Sequence, residues 1–275
     1  MSEQPASRDF PAPIWDPSMR IGDMLRGRKG LIVGVANADS IAFGSAATLR
    51  ELGADLAVTY LNEKAEPFVR PLAEALGAEL ILPLDVETPG QMEAVFDAVR
   101  AKWGRLDFLV HSIAFAPRDD LHGRVVDCSL AGFQQAMAVS CHSFIAMARL
   151  AEPLMTDGGA LLTMTYHGAD KVVQNYNMMG PVKAALEASV RYLAAELGPQ
   201  RIRVHAVSPG PLLTRASSGI AEFKDLIDDA IERAPSRRIV NIAEVGRVVA
   251  FLVSGASSGM TGDTIYVDAG LNIVA

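Results

Sequence analysis

Short apolar runs recur along the chain, and stretches with helical periodicity separate them. Each run is apolar nearly throughout instead of alternating with polar residues, which is typical of strands buried on both faces of a parallel sheet. The runs predict strands at residues 30–35, 55–60, 79–84, 106–112, 159–165, 203–207 and 264–267. The stretches between them predict helices at residues 41–52, 65–76, 91–103, 130–155, 182–197 and 243–253.

Regular alternation of strand and helix predicts right-handed crossovers and an α/β fold. We therefore expect a three-layer, doubly wound parallel sheet of seven strands, of the Rossmann type, in a single domain at residues 27–275. Residues 1–26 are polar and rich in proline, and they are predicted to be an N-terminal extension. Residues 212–238 are too long for an ordinary connection and are predicted to form a lid over the substrate.

Composition and charge argue against several classes of function. The 275 residues carry a formal net charge of −7, whereas a nucleic-acid-binding protein needs a basic face. No apolar stretch reaches the roughly 18 residues of a membrane-spanning helix, and the N-terminus lacks the pattern of a signal peptide. Cys128 and Cys141 have neither zinc-site nor disulfide-scaffold spacing. These features predict a cytoplasmic protein with no metal and no nucleic-acid or membrane partner.

The first predicted strand ends in GVANADSIAFG, a turn that suits a phosphate group. Gly34 permits a tight turn, Ser40 is a good N-cap, and the helix that starts at Ile41 offers free N–H groups and the positive end of its dipole. Gly44 is expected to let this helix pack closely on the sheet. A glycine-rich turn of this kind is also common as a purely structural feature, so the turn alone leaves both interpretations open.

Three further strand ends carry residues that suit a dinucleotide. In open α/β sheets, ligands bind outside the carboxyl ends of the strands, near the point at which the strand order reverses. A carboxylate after the third strand suits an adenine amino group, and small residues after the fourth leave room for a ribose. The further cofactor-binding candidates at these strand ends are Asp85, Val86, Ser112, Ile113, Ala114, Pro211, Leu212 and Thr214. A helix-capping role is the alternative for Asp85.

The chain resembles the short-chain dehydrogenase/reductase superfamily and, within it, the bacterial enoyl-acyl-carrier-protein reductases. The matching stretches run from about residue 31 to residue 274 and include GVANADSIAFG, HSIAFAP, YNMMGPVKAALE, SPGPLLTRASSGI and TGDTIYVDAG. The resemblance implies reduction of the carbon–carbon double bond of trans-2-enoyl-acyl-carrier-protein thioesters by NADH, in fatty acid biosynthesis. It also implies acyl carrier protein as the partner that carries the substrate, and a homotetramer.

The spacing Tyr-x6-Lys is the most specific part of this resemblance. Ordinary members of the superfamily carry Tyr-x3-Lys with a serine before it, but here Met179 and Tyr166 stand at those two positions relative to Lys183. The resemblance therefore assigns catalysis to Tyr176, Lys183 and Tyr166, with Lys183 also binding the cofactor. The substrate contacts that it implies are Ala116, Tyr166, Tyr176 and Phe223.

Pro181 lies between the catalytic tyrosine and lysine and makes an undistorted helix through both unfavourable. We therefore expect the regular helix to begin near residues 177–179, with Tyr176 at or just before its first turn. A hydrogen bond from the phenol to the thioester oxygen would strengthen as negative charge develops on that oxygen. The charge of Lys183 is expected to lower the pKa of this phenol from its usual value of about 10.

Several alternatives stay open at this point. Glu63 would hold the ribose hydroxyls of NADH, whereas Lys64 would accommodate the extra phosphate of NADPH, and the resemblance favours NADH. A carbonyl reductase and a catalytically silent nucleotide-binding regulator are the rival functions. His167, beside Tyr166, is interpreted as a satisfied surface group.

An acidic carrier protein would need a local basic patch to dock on this acidic protein. The predicted lid offers Arg215, Lys224, Arg233, Arg237 and Arg238 for such a patch.

Overall fold

Seven parallel strands form one sheet in the computed structural model, which describes residues 24–121, 123–212 and 223–274. The strand order is β3-β2-β1-β4-β5-β6-β7, and every neighbouring pair is parallel. The strands are β1 (Lys29–Val33), β2 (Asp55–Tyr60), β3 (Leu80–Pro83), β4 (Phe108–His111), β5 (Gly159–Met164), β6 (Ile202–Pro209) and β7 (Thr264–Val267). This sheet confirms the predicted fold class, and the predicted strands differ from the observed ones by at most two residues at either end.

Helices cover both faces of the sheet and complete the three predicted layers. Alternate residues of a strand point to opposite faces, so Ile32 packs in one apolar cluster whereas Leu31 and Val33 pack in the other. The helices are α1 (Ile41–Glu51), α2 (Glu66–Ala75), α3 (Gln91–Trp103), α4 (Arg118–Leu121), α5 (Leu130–Met137), α6 (Ser143–Ala151), α7 (Met179–Leu197), α8 (Phe223–Arg233) and α9 (Ile242–Val253). The α1, α2 and α9 helices contribute to the first cluster, and α3, α6 and α7 contribute to the second.

The predicted helix at residues 130–155 is interrupted. A π-helical turn at Ala138–His142 separates α5 from α6. Ser140 lies in this turn and is fully buried, and its hydroxyl accepts a hydrogen bond from Phe115 N at 2.9 Å and donates one to Phe115 O at 3.0 Å. This tertiary contact fixes the chain that follows β4, and a local sequence pattern contains no signal for it.

The close approach expected at Gly44 involves another helix. A Cβ atom at Gly44 would lie 2.6 Å from Ile242 Cβ, at the start of α9, and one at Gly246 would lie 2.7 Å from Gly44 O. The expectation that Gly44 allows packing on the sheet is therefore wrong, because the two glycines let α1 and α9 pack against each other.

The ends of the predicted domain and the predicted lid are described only in part. Leu25 is buried in the core, and its N–H donates to Leu52 O at 2.8 Å, so the packed chain includes residues just before the predicted boundary at residue 27. In the predicted lid, α8 and the connection after it are described, and Ile227, Ala230 and Ala234 are buried. None of the helices in the described ranges is long and apolar enough to span a membrane.

Candidate active site

The strand order reverses between β1 and β4, and the residues that follow these two strands lie side by side. Gly34, directly after β1, has φ +96°, and a Cβ atom there would lie 2.3 Å from Ser112 O and 2.6 Å from Ile113 Cγ2. Only glycine fits this position without a shift of the backbone after β4. The sequence therefore brings the turn after β1 into direct contact with the turn after β4, as the predicted ligand edge requires.

The turn at residues 34–41, called here the phosphate turn, ends in a capped helix. Ser40 Oγ accepts from Phe43 N at 3.3 Å and donates to Asn37 O at 2.7 Å. The cap satisfies the third N–H of α1, so those of Ile41 and Ala42 are left to point outward from the first turn. Their direction, together with the helix dipole, suits a phosphate group.

The remaining cofactor candidates within the described residues also lie at this edge of the sheet. Asp85 Oδ1 accepts from Glu87 N at 3.0 Å, so the carboxylate orders the turn after β3, close to the capping role kept as its alternative. After β4, Ser112 and Ile113 are half-buried and Ala114 is exposed. The other candidates are the half-buried Val86, the buried Pro211 and Leu212, and Thr214, which lies outside the described residues.

Tyr176 lies in the loop between β5 and α7, and its neighbours give this loop an unusual backbone. Asn175 and Asn177 have φ of 61° and 45°, a region that asparagine tolerates better than most residues. The ring of Tyr176 is buried and meets the ring of Tyr166 edge-on, with centroids 5.0 Å apart. The two phenols that the sequence placed ten residues apart therefore belong to one site.

Helix α7 begins at Met179, as predicted, and Pro181 is its third residue. The first four N–H groups of a helix have no partner within the helix, so a proline in this turn removes no intrahelical hydrogen bond. Pro181 therefore marks the beginning of the helix and does not weaken it.

Lys183 lies two residues further on and points into the protein. Its side chain is 5% exposed, and Nζ donates to Met164 O at 2.8 Å, at the end of β5. Burial lowers its pKa from 10.5 to about 8, while Cys141 and Glu187 act in the opposite direction. An ammonium group carries three donors, so the bond to Met164 leaves two for a bound molecule.

Burial also decides the protonation of the two phenols. It raises the pKa of Tyr176, with smaller contributions from Tyr166 and Glu187, and it raises the pKa of Tyr166, with contributions from Asp268 and Asp229. The expectation that Lys183 lowers the pKa of the catalytic phenol is wrong for this structure, because desolvation of the phenolate outweighs any attraction to the ammonium. Both phenols are therefore hydrogen-bond donors at neutral pH.

Two histidines near the site were missed or misread in the sequence. His111, the last residue of β4, is fully buried between Thr163 Oγ1 and Ser143 Oγ, each 2.8 Å from a ring nitrogen, and burial lowers its pKa to about 3. The ring of His167 lies 4.3 Å from that of Tyr166, and its Nδ1 is buried without a hydrogen-bond partner among the described residues. The interpretation of His167 as a satisfied surface group is therefore wrong.

The substrate candidates are only partly brought together. Ala116 packs in the same apolar cluster as Tyr176 and Tyr166. Phe223 is the first residue of α8, and its side chain lies outside the described part of the chain. Three of the five basic residues expected to form a patch, Lys224, Arg233 and Arg238, lie 3.3, 3.0 and 2.7 Å from Asp228, Asp229 and Glu244, which offsets part of their charge. Arg215 lies outside the described residues.

Comparisons with known proteins agree with this geometry. Residues 34–272 match the family described as enoyl-(acyl carrier protein) reductase. The NADH-dependent enoyl-[acyl-carrier-protein] reductase of Rickettsia felis is 46% identical over 251 residues, which are 91% of this chain and 96% of that protein. The corresponding enzyme of Synechocystis is 47% identical over 253 residues, or 91% of this chain and 98% of that protein.

Solved structures of such reductases are also similar to this chain. The crystal structure of the Anaplasma phagocytophilum reductase in complex with NAD has a TM-score of 0.89 and 47% identity, and the match covers 94% of this chain and 98% of that chain. The Bacillus cereus reductase, solved with NADP+ and indole naphthyridinone, has a TM-score of 0.90 and 44% identity, with 92% and 99% coverage.

Proposed function

Because the chain belongs to the enoyl-acyl-carrier-protein reductase family of the short-chain dehydrogenases/reductases, we propose that Tyr176, Tyr166 and Lys183 divide the chemistry of that reaction among them. The enzyme reduces the double bond of enoyl-acyl-carrier-protein thioesters with NADH, in fatty acid biosynthesis, as predicted. The observations that support the residue roles are the ring contact between the buried Tyr176 and the half-buried Tyr166, and the bond of the buried Lys183 ammonium to Met164 O, two residues before Tyr166.

The residues at the carboxyl edge fit NADH. Gly34 leaves the space that the backbone needs at the phosphate turn, and the capped start of α1 offers its N–H groups to the pyrophosphate. Asp85, Val86, Ser112, Ile113 and Ala114 would line the adenosine and ribose, and Pro211, Leu212 and Thr214 would hold the nicotinamide side. Lys183 would bind the ribose hydroxyls next to the nicotinamide.

Bound NADH supplies the hydride that reaches the β-carbon of the thioester. As negative charge develops on the thioester oxygen, Tyr176 donates a hydrogen bond to it, and this bond strengthens toward the transition state. Tyr166 is a second donor or positions the thioester. The raised pKa of Tyr176 keeps its proton in place at neutral pH, and the positive charge of Lys183 favours the anionic state of the substrate.

The rival functions lack comparable support. Met179 stands where an ordinary carbonyl reductase of the superfamily carries its tyrosine, and it is buried in an apolar cluster. The finer parts of the proposal are a homotetramer, a cytoplasmic location and a lid at residues 212–238 that covers the acyl chain. Buried residues on one face of α8 are consistent with such a lid.

Replacement of Tyr176 tests its proposed role as hydrogen-bond donor to the thioester oxygen. Tyr176→Phe keeps the ring and removes the hydroxyl, so kcat with crotonyl thioester should fall by about 10²–10³-fold, as for loss of one oxyanion donor. The affinity for NADH, measured by fluorescence titration, should stay unchanged. Tyr192→Phe is the matched control, because Tyr192 lies on the same helix and is 73% exposed. Wild-type turnover in Tyr176→Phe would contradict the assignment.

The substrate class is tested separately by following NADH absorbance. The wild-type enzyme should oxidise NADH with crotonyl thioester and show little activity with a β-keto thioester. The opposite preference would indicate a carbonyl reductase, and oxidation with neither substrate would indicate a silent nucleotide-binding protein.

A further inference from the structure

Two neighbouring residues at the end of β5 hold side chains from successive turns of α7. Met164 O accepts from Lys183 Nζ at 2.8 Å, and Thr165 Oγ1 donates to Glu187 Oε1 at 2.7 Å. Lys183 and Glu187 are four residues apart and therefore lie on the same face of the helix. We propose that Glu187 is a positioning residue that keeps Lys183 charged and in place at the cofactor edge. The proposal rests on the proposed role of Lys183.

Lys183 needs such a partner because its charge is buried. A buried ammonium loses its hydration, and the folded protein must compensate or the proton is released. With its pKa at about 8, Lys183 lies close to the range in which it would become neutral and could no longer favour negative charge on the substrate. A nearby carboxylate opposes this loss.

The other titratable groups that face Lys183 carry no charge at neutral pH. Burial raises the pKa of Cys141, on the π-helical turn, so the thiol stays protonated. His111, on β4, is neutral because burial lowers its pKa to about 3. Of the groups in the described ranges that oppose the lowering of the Lys183 pKa, Cys141 is a thiol and Glu187 is the carboxyl group.

Hydrogen bonds to Glu187 oppose the effect of burial on its pKa. Burial raises its pKa, but hydroxyl donors from Thr165 and from Thr264, at the start of β7, act in the opposite direction, as does Arg191 one turn later on α7. Like burial, Asp170 raises the pKa of Glu187. Glu187 in turn raises the pKa of Tyr266. Three elements thus converge on this carboxylate, and its place in the site depends on the packing of α7 against β5 and β7.

Glu187→Gln tests the proposal, because glutamine keeps the size and the acceptor for Thr165 and removes the charge. We expect kcat/KM near the wild-type value at about pH 6.5, and a high-pH decline that begins about one pH unit earlier than in the wild type. NADH affinity of the free enzyme, measured by fluorescence across the same pH range, should decline in the same way. Glu196→Gln removes an exposed carboxylate from the same helix and should leave both profiles unchanged.

A second variant removes the hydrogen bond between Thr165 and Glu187 and keeps the carboxyl group of Glu187. Thr165→Val removes one donor to Glu187 and should shift both profiles in the same direction by a smaller amount. Unshifted profiles in folded Glu187→Gln, or an equal loss at every pH, would overturn the proposal. If the wild-type enzyme failed to reduce crotonyl thioester, the proposed function would fail, whereas the NADH-binding profile would still test Glu187.

Discussion

The phosphate turn and the β5–α7 site lie at the same edge of the sheet and are built in different ways. In the phosphate turn, Ser40 is hydrogen-bonded within its own turn and Gly34 is fixed by a steric limit. In the β5–α7 site, Tyr176, Lys183 and Glu187 are wholly or partly buried, and each has a pKa that burial shifts toward the neutral form. The first region is determined by local hydrogen bonds and close backbone contact, whereas the second keeps polar groups in an environment that disfavours their charge.

The largest expected effect comes from removing the buried charge. Lys183→Met should abolish measurable turnover and still stabilise the fold at pH 7 by about 1–3 kcal/mol, because each tenfold change in protonation equilibrium corresponds to about 1.4 kcal/mol. The free energy of unfolding, measured in urea, checks this. Lys102→Met, at an exposed lysine on α3, should change stability by only about 0.5 kcal/mol.

The size of this stability difference depends on pH. Below pH 8, Lys183 is protonated in both the folded and the unfolded wild type, so the full cost of burying its charge is present. Between about pH 8 and 10.5 the folded state releases the proton first, so the wild type recovers stability relative to Lys183→Met. A stability difference that is constant across this range would contradict the assigned burial of the charge.

In the phosphate turn, added side-chain volume, and not the loss of a charge, should change stability and NADH affinity. Gly34→Ala adds a Cβ in contact with Ser112 O at a positive φ, so the fold should lose about 2–4 kcal/mol and NADH affinity should fall at least about tenfold. Gly104→Ala is the matched control, because Gly104 has φ +68° but open space around its Cβ position. It should cost about 1–2 kcal/mol and leave NADH affinity unchanged. Equal effects on NADH affinity would rule out the steric argument.

The sequence predicts these two regions to different degrees. The strands and helices follow from apolar periodicity, and the phosphate turn follows from local chemistry, since a glycine and a serine cap act within a few residues of the strand end. Tyr176 and Lys183 stand out only through a resemblance, because either residue alone is usually packed or exposed on a surface. The contact of Thr165 with Glu187, and that of Ser140 with Phe115, join residues more than 20 positions apart. Such contacts depend on tertiary packing, which no local pattern contains.

The smallest expected effect distinguishes a structural role of Ser40 as a helix cap from a role in NADH binding. Ser40→Ala removes the cap on Phe43 N and should cost about 1 kcal/mol of stability. Ser129→Ala removes an equivalent cap from α5, where Ser129 Oγ accepts from Gly132 N at 2.9 Å, and should cost a similar amount. If Ser40 also contacts the pyrophosphate, only its variant should weaken NADH binding, by about 3–10-fold, since a hydrogen bond to a charged group is lost. Equal NADH affinities in the two variants would restrict Ser40 to its structural role and leave phosphate binding to the N–H groups of α1.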